Sequence, residues 1–356
     1  MRKYLASLVI LVVLAGLALL AFLKTSGGPT NTVPQEQHAA AAETPPVYLP
    51  DDYKPEVTTA NRRYKLGVLF PFLAAPFWVN EAYGIIDQAK LDGADVVWLS
   101  ADGYDNIEAQ NSQMENLITL KVDAILLAAT SFNGTAPAVE RAIAAGIPVL
   151  THVTSSNSSK LAATVLADNT SIGRKQGEYL CKALGGRGTI AMLNGPAAAD
   201  WSSDRVRGFK AELAAACPNV TVVTEKFGIP DRADAQRLAS DILAAFPQLN
   251  GFFTVADGMG LGVTDAGKSV SRSGRLLITT ASFSRETLPY VRSGAISVNV
   301  DESPVVTGRV VVNRAVALLN GEPIPKSTYV PIPAWLRDNV SGVPNDHWAP
   351  DGWRIQ

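Results

Sequence analysis

The stretch LGVLFPFLAAPFWVNEAYG, from Leu66 to Gly84, decides the fold of this chain. It opens with a continuously apolar run, LGVLF, which predicts a strand that is buried on both faces. The apolar positions that follow recur at helical spacing: Trp78, Ala82, Ile85, Ile86 and Ala89. Two large aromatic residues, Phe77 and Trp78, therefore stand where a strand gives way to a helix. Loops at strand ends are exposed to solvent, so the two aromatic side chains must be covered either by the protein's own core or by a ligand.

The same alternation continues from Lys65 along most of the chain. Further apolar runs follow in the first half (DVVWLSA, DAILLAA, PVLTHV, ATVLADN) and in the second half (TIAML, VTVV, GFFTV, LLITTA), interspersed with amphipathic helical patterns. Continuously apolar strands between amphipathic helices indicate parallel sheets that are covered on both faces. The two series join near residues 167–169 and again near residues 299–301. The sequence therefore predicts an α/β fold of two doubly wound parallel-sheet lobes, with a hinge and an interlobe cleft.

The two junctions divide the chain into lobes. We expect the N-terminal lobe to comprise residues 63–166 and 302–330, and the C-terminal lobe to comprise residues 167–301. The remaining residues, 331–356, are interpreted as a C-terminal extension that packs across both lobes.

The first residues indicate the compartment. Arg2 and Lys3 precede an apolar run from Tyr4 to Leu23, and a run of about 20 apolar residues is long enough to cross a bilayer. Residues 1–24 are therefore interpreted as an uncleaved signal anchor, with a cleaved signal peptide as the alternative. Residues 25–62 are rich in Pro, Ala and polar residues, which predicts a flexible linker. In either case we expect the globular part in the periplasm, tethered to the inner membrane through residues 4–23 if the anchor is retained.

Composition excludes several classes of function. The net charge is −2, so the sequence predicts no nucleic-acid partner. Three His residues and no metal-ligand spacing predict neither a metal site nor a cofactor, and the absence of a catalytic motif predicts that the chain is not an enzyme. The two cysteines, Cys181 and Cys217, fall on successive predicted helices, where either a disulfide or two free thiols would fit.

Ligands of open parallel sheets bind beyond the carboxyl ends of the strands, so the residues after each strand are the candidate contacts. They give this ligand-binding set: Phe77, Trp78, Tyr104, Thr130, Ser131, Trp201, Arg205, Asp257, Ser282 and Asp301. Trp78, Tyr104 and Trp201 are expected to converge on an aromatic box, whose faces suit apolar rings or methylated cations.

The charged candidates have alternative interpretations. Asp257 and Asp301 supply negative charge and Arg205 supplies a fork of donors. An Asp at a strand end is also a common helix N-cap, which applies most directly to Asp257. A surface salt bridge is the alternative for Arg205. His152, at another strand end, has no visible catalytic partner and is interpreted as structural.

Several segments resemble the type I periplasmic binding proteins of the ribose-binding class. These are PFW, NSQMENLITLKVDAILL, AIAAGIPVL, VLADNTSIGRKQGEYL, RVRGF and VNVDESPVVTG. The resemblance spans about Arg63 to Asn320 and implies two lobes that close on a small ligand. Sugar binders of this class carry an Asp-Arg pair where this chain has Val153-Thr154, and an Asp where it has Ser282. The resemblance therefore argues against an ordinary aldopentose as ligand.

A narrower set of segments is similar to the TorT family, periplasmic sensors of trimethylamine N-oxide that signal through a membrane histidine kinase. The set comprises P-x-L-x-x-x-aromatic-Trp at residues 71–78, Gly103-Tyr104, Ser282-Phe283 and the closing APDGW at residues 349–353. This resemblance implies that Trp78 and Tyr104 line a site for trimethylamine N-oxide or a related methylated solute, and that a sensor kinase is the partner. The alternative is the solute-binding component of an ABC importer, with a sugar as ligand and a permease as partner.

Overall fold

The computed structural model describes residues 45–197, 199–272 and 274–355. The apolar helix expected at residues 4–23 lies outside the described residues. Within the described residues, no helix combines the length and the apolar character needed to span a bilayer.

A seven-stranded sheet forms the centre of the N-terminal lobe. Its strands, in spatial order, are β1 (Val47–Tyr48), β12 (Ser327–Tyr329), β6 (Ala163–Leu166), β5 (Val149–His152), β4 (Ala124–Leu127), β2 (Lys65–Phe70) and β3 (Asp95–Ser100), all parallel. The apolar run LGVLF is strand β2, and its successive side chains enter cores on opposite faces of the sheet, as the two-residue period of a strand requires. This burial on both faces explains why the strand sequences are continuously apolar.

A six-stranded sheet forms the centre of the C-terminal lobe. Its strands, in spatial order, are β13 (Ala334–Trp335), β11 (Val298–Val300), β10 (Leu277–Ala281), β9 (Gly251–Thr254), β7 (Arg187–Asn194) and β8 (Asn219–Phe227). All neighbours are parallel except β11 and β13, which pair antiparallel. The predicted α/β fold of two parallel-sheet lobes is confirmed.

Helices cover the faces of both sheets. They are α1 (Pro76–Asp92), α2 (Ile107–Thr119), α3 (Ala136–Ala144), α4 (Asn169–Ala183), α5 (Asp200–Ala216), α6 (Arg232–Ala245), α7 (Asp257–Ser269), α8 (Leu288–Ser293) and α9 (Pro304–Leu319). In α1 the residues predicted from helical spacing are buried except Ile86, which is half-buried. Pro76 occupies the start of the helix, where its missing N–H costs no hydrogen bond.

Within the described residues, the chain crosses between the lobes three times. Two crossings, between β6 and α4 and between β11 and α9, lie where the sequence places the junctions. The third runs from β12 in one sheet to β13 in the other through residues 330–333. A two-residue strand carries too little apolar pattern to be predicted, so this crossing is visible only in the structure.

Residues 45–62 are the described part of the segment expected to be a flexible linker, and they are bound to the N-terminal lobe. Val47 and Tyr48 pair with β12, and the Tyr48 ring stacks on the Tyr329 ring at a centroid distance of 4.7 Å. Further along, the Thr58 amide donates to the Asp92 carboxylate at 2.9 Å. These residues carry no sequence periodicity because single hydrogen bonds and an edge strand, rather than an amphipathic element, hold them to the N-terminal lobe.

The C-terminal extension contacts residues of both lobes. The Trp348 indole donates to the Phe283 carbonyl at 3.4 Å, on the C-terminal lobe. The next residue, Ala349, donates its amide to the Asn80 side chain on α1 at 2.9 Å. The backbone of this segment is therefore fixed to both sides of the space between the lobes.

A disulfide joins Cys181, on α4, to Cys217, which follows α5. The two Cα atoms are 5.8 Å apart, within the range that a disulfide spans. The structure therefore decides between the alternatives that the sequence left open, and the bond closes a loop in which the two cysteines are 36 residues apart.

Removing this disulfide should destabilise the protein. In the chain-entropy model, a loop of this length corresponds to about 3–4 kcal/mol. We expect Cys181→Ser/Cys217→Ser to lower the free energy of unfolding in urea by that order. The double variant should be insensitive to dithiothreitol, whereas reductant should bring the wild type to the same midpoint. Equal midpoints of the oxidised wild type and the variant would contradict the bond.

Candidate functional site

A cavity of about 280 Å³ lies between the lobes at the carboxyl ends of the strands. From the N-terminal lobe it is lined by the start of α1, including Phe77 and Asn80, and by Pro304. From the C-terminal lobe it is lined by residues that follow β9 and β10, among them Asp257 and Ser282. This volume is close to the lower limit of small-molecule pockets, about 300 Å³, so the cavity suits a small solute. Three of the predicted residues, Phe77, Asp257 and Ser282, line it directly.

Arg205 occupies the hinge beside this cavity rather than the protein surface. Only 1% of the residue is exposed, although a guanidinium ion is among the groups most costly to bury. Its Nε donates to the Asn169 side chain at 2.9 Å, and its Nη1 donates to the Val255 carbonyl at 2.8 Å and to the Ser282 hydroxyl at 3.2 Å. Its Nη2 lies 2.6 Å from Glu302 Oε2. The surface salt bridge considered as the alternative for Arg205 is thereby replaced by a buried one.

Glycines bring the helix that carries Arg205 to this position. Helices α4 and α5 cross so closely that a Cβ on Gly173 would lie 1.9 Å from the carbonyl oxygen of Arg205. A Cβ on Gly208 would lie 2.0 Å from the carbonyl oxygen of Thr170. Only glycine permits this approach, so the glycines of the segments SIGR and RVRGF place the guanidinium ion at the hinge.

Glu302 is the central residue of the site, and the sequence interpretation missed it. Besides the ion pair with Arg205, it accepts a hydrogen bond from the Ser282 hydroxyl. Its charge also contributes to raising the pKa values of three groups: Asp257, Tyr104 and Glu81. Glu302 directly follows Asp301 at the crossing, and no pattern in the sequence shows which of the two adjacent carboxylates bonds to Ser282 at the cavity wall.

Asp301 does not line the cavity. It is fully buried, it accepts the Glu302 amide at 2.8 Å, and its Oδ2 lies 3.0 Å from His347 Nε2 in the C-terminal extension. The predicted ligand contact is therefore corrected: Asp301 fixes the backbone of the crossing, and the neighbouring carboxylate takes the place next to the cavity.

Asp257 is the first residue of α7 and faces the cavity. Its Oδ1 accepts the amide of the adjacent Gly258, at 2.8 Å, and Ala256, the residue before the helix, provides no side-chain cap. Burial raises the pKa of Asp257 to about 6, helped by the charges of Glu302 and Glu286 and opposed by a hydrogen bond from Ser284. Asp257 is therefore not the N-cap of α7, because it lies within the first turn and its carboxylate faces the cavity.

The aromatic residues of the N-terminal lobe form a cluster behind the cavity. Trp78 is 3% exposed and lies edge-on to Phe77 and Phe72, at centroid distances of 5.2 and 6.2 Å. Tyr104 lies 6.4 Å from Trp78 and 5.5 Å from Phe72. Trp78 thus packs in the core of its lobe, and Phe77 alone of this pair faces the cavity.

Tyr104 sits at the cleft edge of this cluster. Burial of its hydroxyl raises the pKa of Tyr104 well above its ordinary value, and the negative charges of Glu302 and Glu81 add to the effect. Although 39% of the residue is exposed, its hydroxyl therefore lies in a desolvated and negatively charged place. The phenol stays protonated and can donate a hydrogen bond.

Trp201 does not complete a box with Trp78 and Tyr104. The Arg205 guanidinium carbon lies 5.0 Å from its ring centroid, and the indole packs against the core of the C-terminal lobe. Among the described rings, Trp201 contacts neither Trp78 nor Tyr104. The three-sided aromatic box is therefore replaced by two separate features, a cluster on one lobe and an Arg205–Trp201 stack on the other.

Thr130 and Ser131 are occupied by bonds within the N-terminal lobe. Both the amide and the hydroxyl of Thr130 bond to Gln110, at 2.8 and 3.0 Å. The Ser131 hydroxyl accepts the Gly134 amide at 3.1 Å. Neither residue lines the cavity, and these bonds account for both as parts of the turn that leads into α3.

A buried acid–imidazole pair lies beneath the aromatic cluster. His152 Nδ1 is 2.5 Å from Glu81 Oε1, both residues are fully buried, and the His152 ring lies edge-on to Phe70 at 6.0 Å. Burial raises the pKa of Glu81, and His152 opposes the rise. The structural interpretation of His152 holds, and its partner comes from α1, 71 residues away.

The backbone is strained where the strands end. Four residues just beyond strand ends have positive φ, namely Asp102 (60°), Val153 (58°), Ser282 (68°) and Ser303 (48°). Val153 is the extreme case because β-branched residues rarely adopt this conformation. The following Thr154 amide donates to the His152 carbonyl at 2.6 Å, which closes a three-residue turn around Val153. Such strain, on the order of 1–3 kcal/mol each, concentrates at functional sites.

Comparison with known proteins identifies the family. Residues 66–323 match the periplasmic binding protein domain. The chain belongs to this family. It is 27% identical over 280 residues to the ribose import binding protein of Bacillus subtilis, covering 78% of this chain and 89% of that protein. It is 25% identical over 278 residues to the periplasmic protein TorT of Escherichia coli, covering 77% and 78%.

A solved structure gives the same result. The substrate-binding protein of a sugar ABC transport system from Bordetella parapertussis superimposes with a TM-score of 0.78 and 28% identity, over 84% of this chain and 98% of that chain. The expected resemblance to the ribose-binding class is confirmed. The chain is similar to both sugar-import and TorT proteins at nearly equal identity, so the family match by itself does not select the ligand.

Removing the carboxylate of Glu302 should destabilise the hinge. Glu302→Gln leaves the Arg205 guanidinium buried without a counter-ion, and breaking such a pair costs about 3–5 kcal/mol. We expect urea denaturation to show a loss of this order in the free energy of unfolding. Glu178→Gln is the matched control, because its partner Arg174 is 3.7 Å away and both side chains are more than half exposed; its effect should stay below about 0.5 kcal/mol. Equal effects of the two substitutions would contradict the role of Glu302.

Asp257 should make the ligand-free protein less stable as the pH rises. Its folded-state pKa is about 6, above the value of about 3.9 in an unfolded chain, so its ionisation opposes folding between these values. Asp257→Asn should match the wild type near pH 4 and exceed its free energy of unfolding near pH 7.5, by on the order of 1–2 kcal/mol after allowance for partial exposure. Denaturation at both pH values tests this, with the exposed Asp241→Asn as control. A variant no more stable than the wild type near pH 7.5 would disprove it.

Proposed function

We propose that this protein is the periplasmic solute-binding component of an ABC importer, with a sugar or a related small polar solute as its ligand. The observation that carries the proposal is the interlobe cavity, which both lobes line at the carboxyl ends of their parallel strands. A ligand there contacts both lobes at once, so its binding favours the closed form. A closed complex is a form that a membrane permease can distinguish from the open protein.

The relatives support an importer more than a sensor. The Bacillus subtilis protein is named for ribose import and the Bordetella parapertussis protein for a sugar ABC transport system. This chain aligns over most of both proteins. We therefore take an ABC permease as the partner and the periplasm as the compartment.

The site itself is compatible with hydroxyl groups. The sequence interpretation took the absence of carboxylates at Val153 and Ser282 as an argument against a sugar. In the structure, the carboxylates of Asp257 and Glu302 stand at the cavity and beside it, and the Ser282 hydroxyl bonds directly to Glu302. Carboxylates of this kind accept hydrogen bonds from ligand hydroxyls, so the argument against a sugar loses its basis.

A TorT-like sensor is the second candidate function. The ring centroids of Trp78 and Tyr104 lie 6.4 Å apart. This proximity favours a sensor, because both residues belong to the segments that resemble the TorT family. In this alternative the ligand is trimethylamine N-oxide or a related methylated solute, and the partner is a membrane sensor histidine kinase. The burial of Trp78 in its own lobe means that Phe77 and Tyr104 would provide the aromatic surface.

Calorimetry on the full chain separates the two functions. Titration with ribose, xylitol, glucose, galactose, trimethylamine N-oxide and betaine should show micromolar or tighter binding of at least one sugar or polyol, about −8 kcal/mol or better. Phe77→Ala should weaken that binding at least about tenfold because the ring lines the cavity. Exposed Phe227→Ala, at 61% exposure, is the matched control. Tight binding of trimethylamine N-oxide with no response to any sugar would overturn the importer proposal in favour of the sensor.

A further inference from the structure

The two guanidinium groups at and beside the cavity are already bound to acceptors of the protein. Arg205 uses all three of its guanidinium nitrogens on protein acceptors. Arg232, the cation that lines the cavity, binds Asp265 at 2.7 Å, Glu286 at 2.5 Å and the Tyr290 hydroxyl at 3.1 Å. Neither guanidinium group is therefore free to hold an anionic solute.

The carboxylate of Asp257, in contrast, has no positively charged partner within the described part of the chain. Asp257 lines the cavity, and no cationic nitrogen of the described residues lies within 4.0 Å of its carboxylate. Its partners are the amide of Gly258 and the hydroxyl of Ser284, both neutral. A carboxylate that is desolvated and has no cation nearby is costly in a folded protein, unless another molecule supplies the positive charge.

The net charge of the cavity wall is also negative, which favours a positively charged ligand. Among the described residues, its ionisable side chains are one cation, Arg232, and three carboxylates, Asp231, Asp257 and Glu286, which gives a formal charge of −2. The Arg205–Glu302 pair beside the cavity adds no net charge. A closed cleft with low-dielectric walls strengthens this negative potential.

We propose that the solute is a cation, a small amine-bearing molecule whose ammonium group pairs with Asp257 while its carbon skeleton lies against Phe77. This inference rests on the proposed function, since it names the ligand class of the same cavity. A neutral polyol would use the same acceptors but leave the charge of Asp257 uncompensated on closure. An ammonium group compensates it with charge-assisted hydrogen bonds, and the face of Phe77 attracts a cation.

The pKa of Asp257, raised to about 6 by burial and by the charges of Glu302 and Glu286, supports this assignment. The other charged groups at the cavity are Asp231 and Arg232, and Arg232 is itself paired with Asp265 and Glu286. Asp257 is ionised near pH 8 and protonated near pH 5, so the preference for a cation should fall as the pH falls through about 6.

Calorimetry on the full chain with matched ligand pairs tests the proposal. The pairs are glucose and glucosamine, galactose and galactosamine, and xylitol and 1-amino-1-deoxyxylitol, and in each pair one hydroxyl is replaced by an amino group. Near pH 7, where Asp257 is mostly ionised and the amines are mostly protonated, we expect at least one amine to bind about tenfold or more tightly than its neutral partner, the effect of one charged hydrogen bond. In Asp257→Asn the ratio should fall to within about threefold, and in Asp241→Asn, whose side chain is 76% exposed, it should stay unchanged.

The outcomes separate this inference from the proposed function. If a neutral sugar or polyol binds as tightly as its amine, the cationic ligand is overturned and the importer proposal stands. If the amine preference persists in Asp257→Asn, the assignment of the ammonium group to Asp257 is overturned. If no member of any pair binds, the proposed function fails, and the inference fails with it.

Discussion

The ion pair between Arg205 and Glu302 holds together the part of the molecule on which binding depends. A guanidinium ion that is 1% exposed must find an acceptor for each nitrogen, because each unpaired donor would cost about 1–3 kcal/mol or more. The acceptors here come from separate places: Asn169 begins α4 at the first crossing, Val255 follows β9, Ser282 follows β10, and Glu302 stands at the second crossing. One side chain therefore fixes two crossings and two strand ends relative to each other.

The same pair leaves Arg205 unable to compensate the other acidic groups at the cleft. Glu302 neutralises Arg205, so the carboxylates around it lose the cation that would otherwise compensate them. The pKa values of Asp257, Glu81 and Tyr104 all rise, with burial as the main cause and Glu302 as a contributor to each. The ligand-free cleft is thus electrostatically unfavourable. A ligand that donates hydrogen bonds or carries positive charge relieves this cost, and the relief becomes part of its binding energy.

Much of the fold could be predicted from sequence because the strands are buried on both faces. The site could be predicted only in part, and α1 shows why. The helical spacing of Trp78 with Ala82, Ile85 and Ala89 already places Trp78 on the inner face of the helix, where it is 3% exposed. Phe77, one residue earlier and about 100° around the helix, faces the cavity instead. The rule that ligands bind beyond strand ends selects this segment, and the helical period decides which of the two aromatic residues lines the cavity.

The role of Asp301 could not be predicted for a different reason. Its partner His347 lies 46 positions further along the chain in a segment without periodicity. The adjacent Glu302 instead pairs with Arg205 and Ser282 beside the cavity. Contacts of this kind depend on where the C-terminal extension lies. That extension bonds to Phe283 on one lobe and to Asn80 on the other, and Asn80 also lines the cavity. The extension therefore links the two lobes beside the cavity, and contacts that the sequence pattern does not reveal help to fix the site.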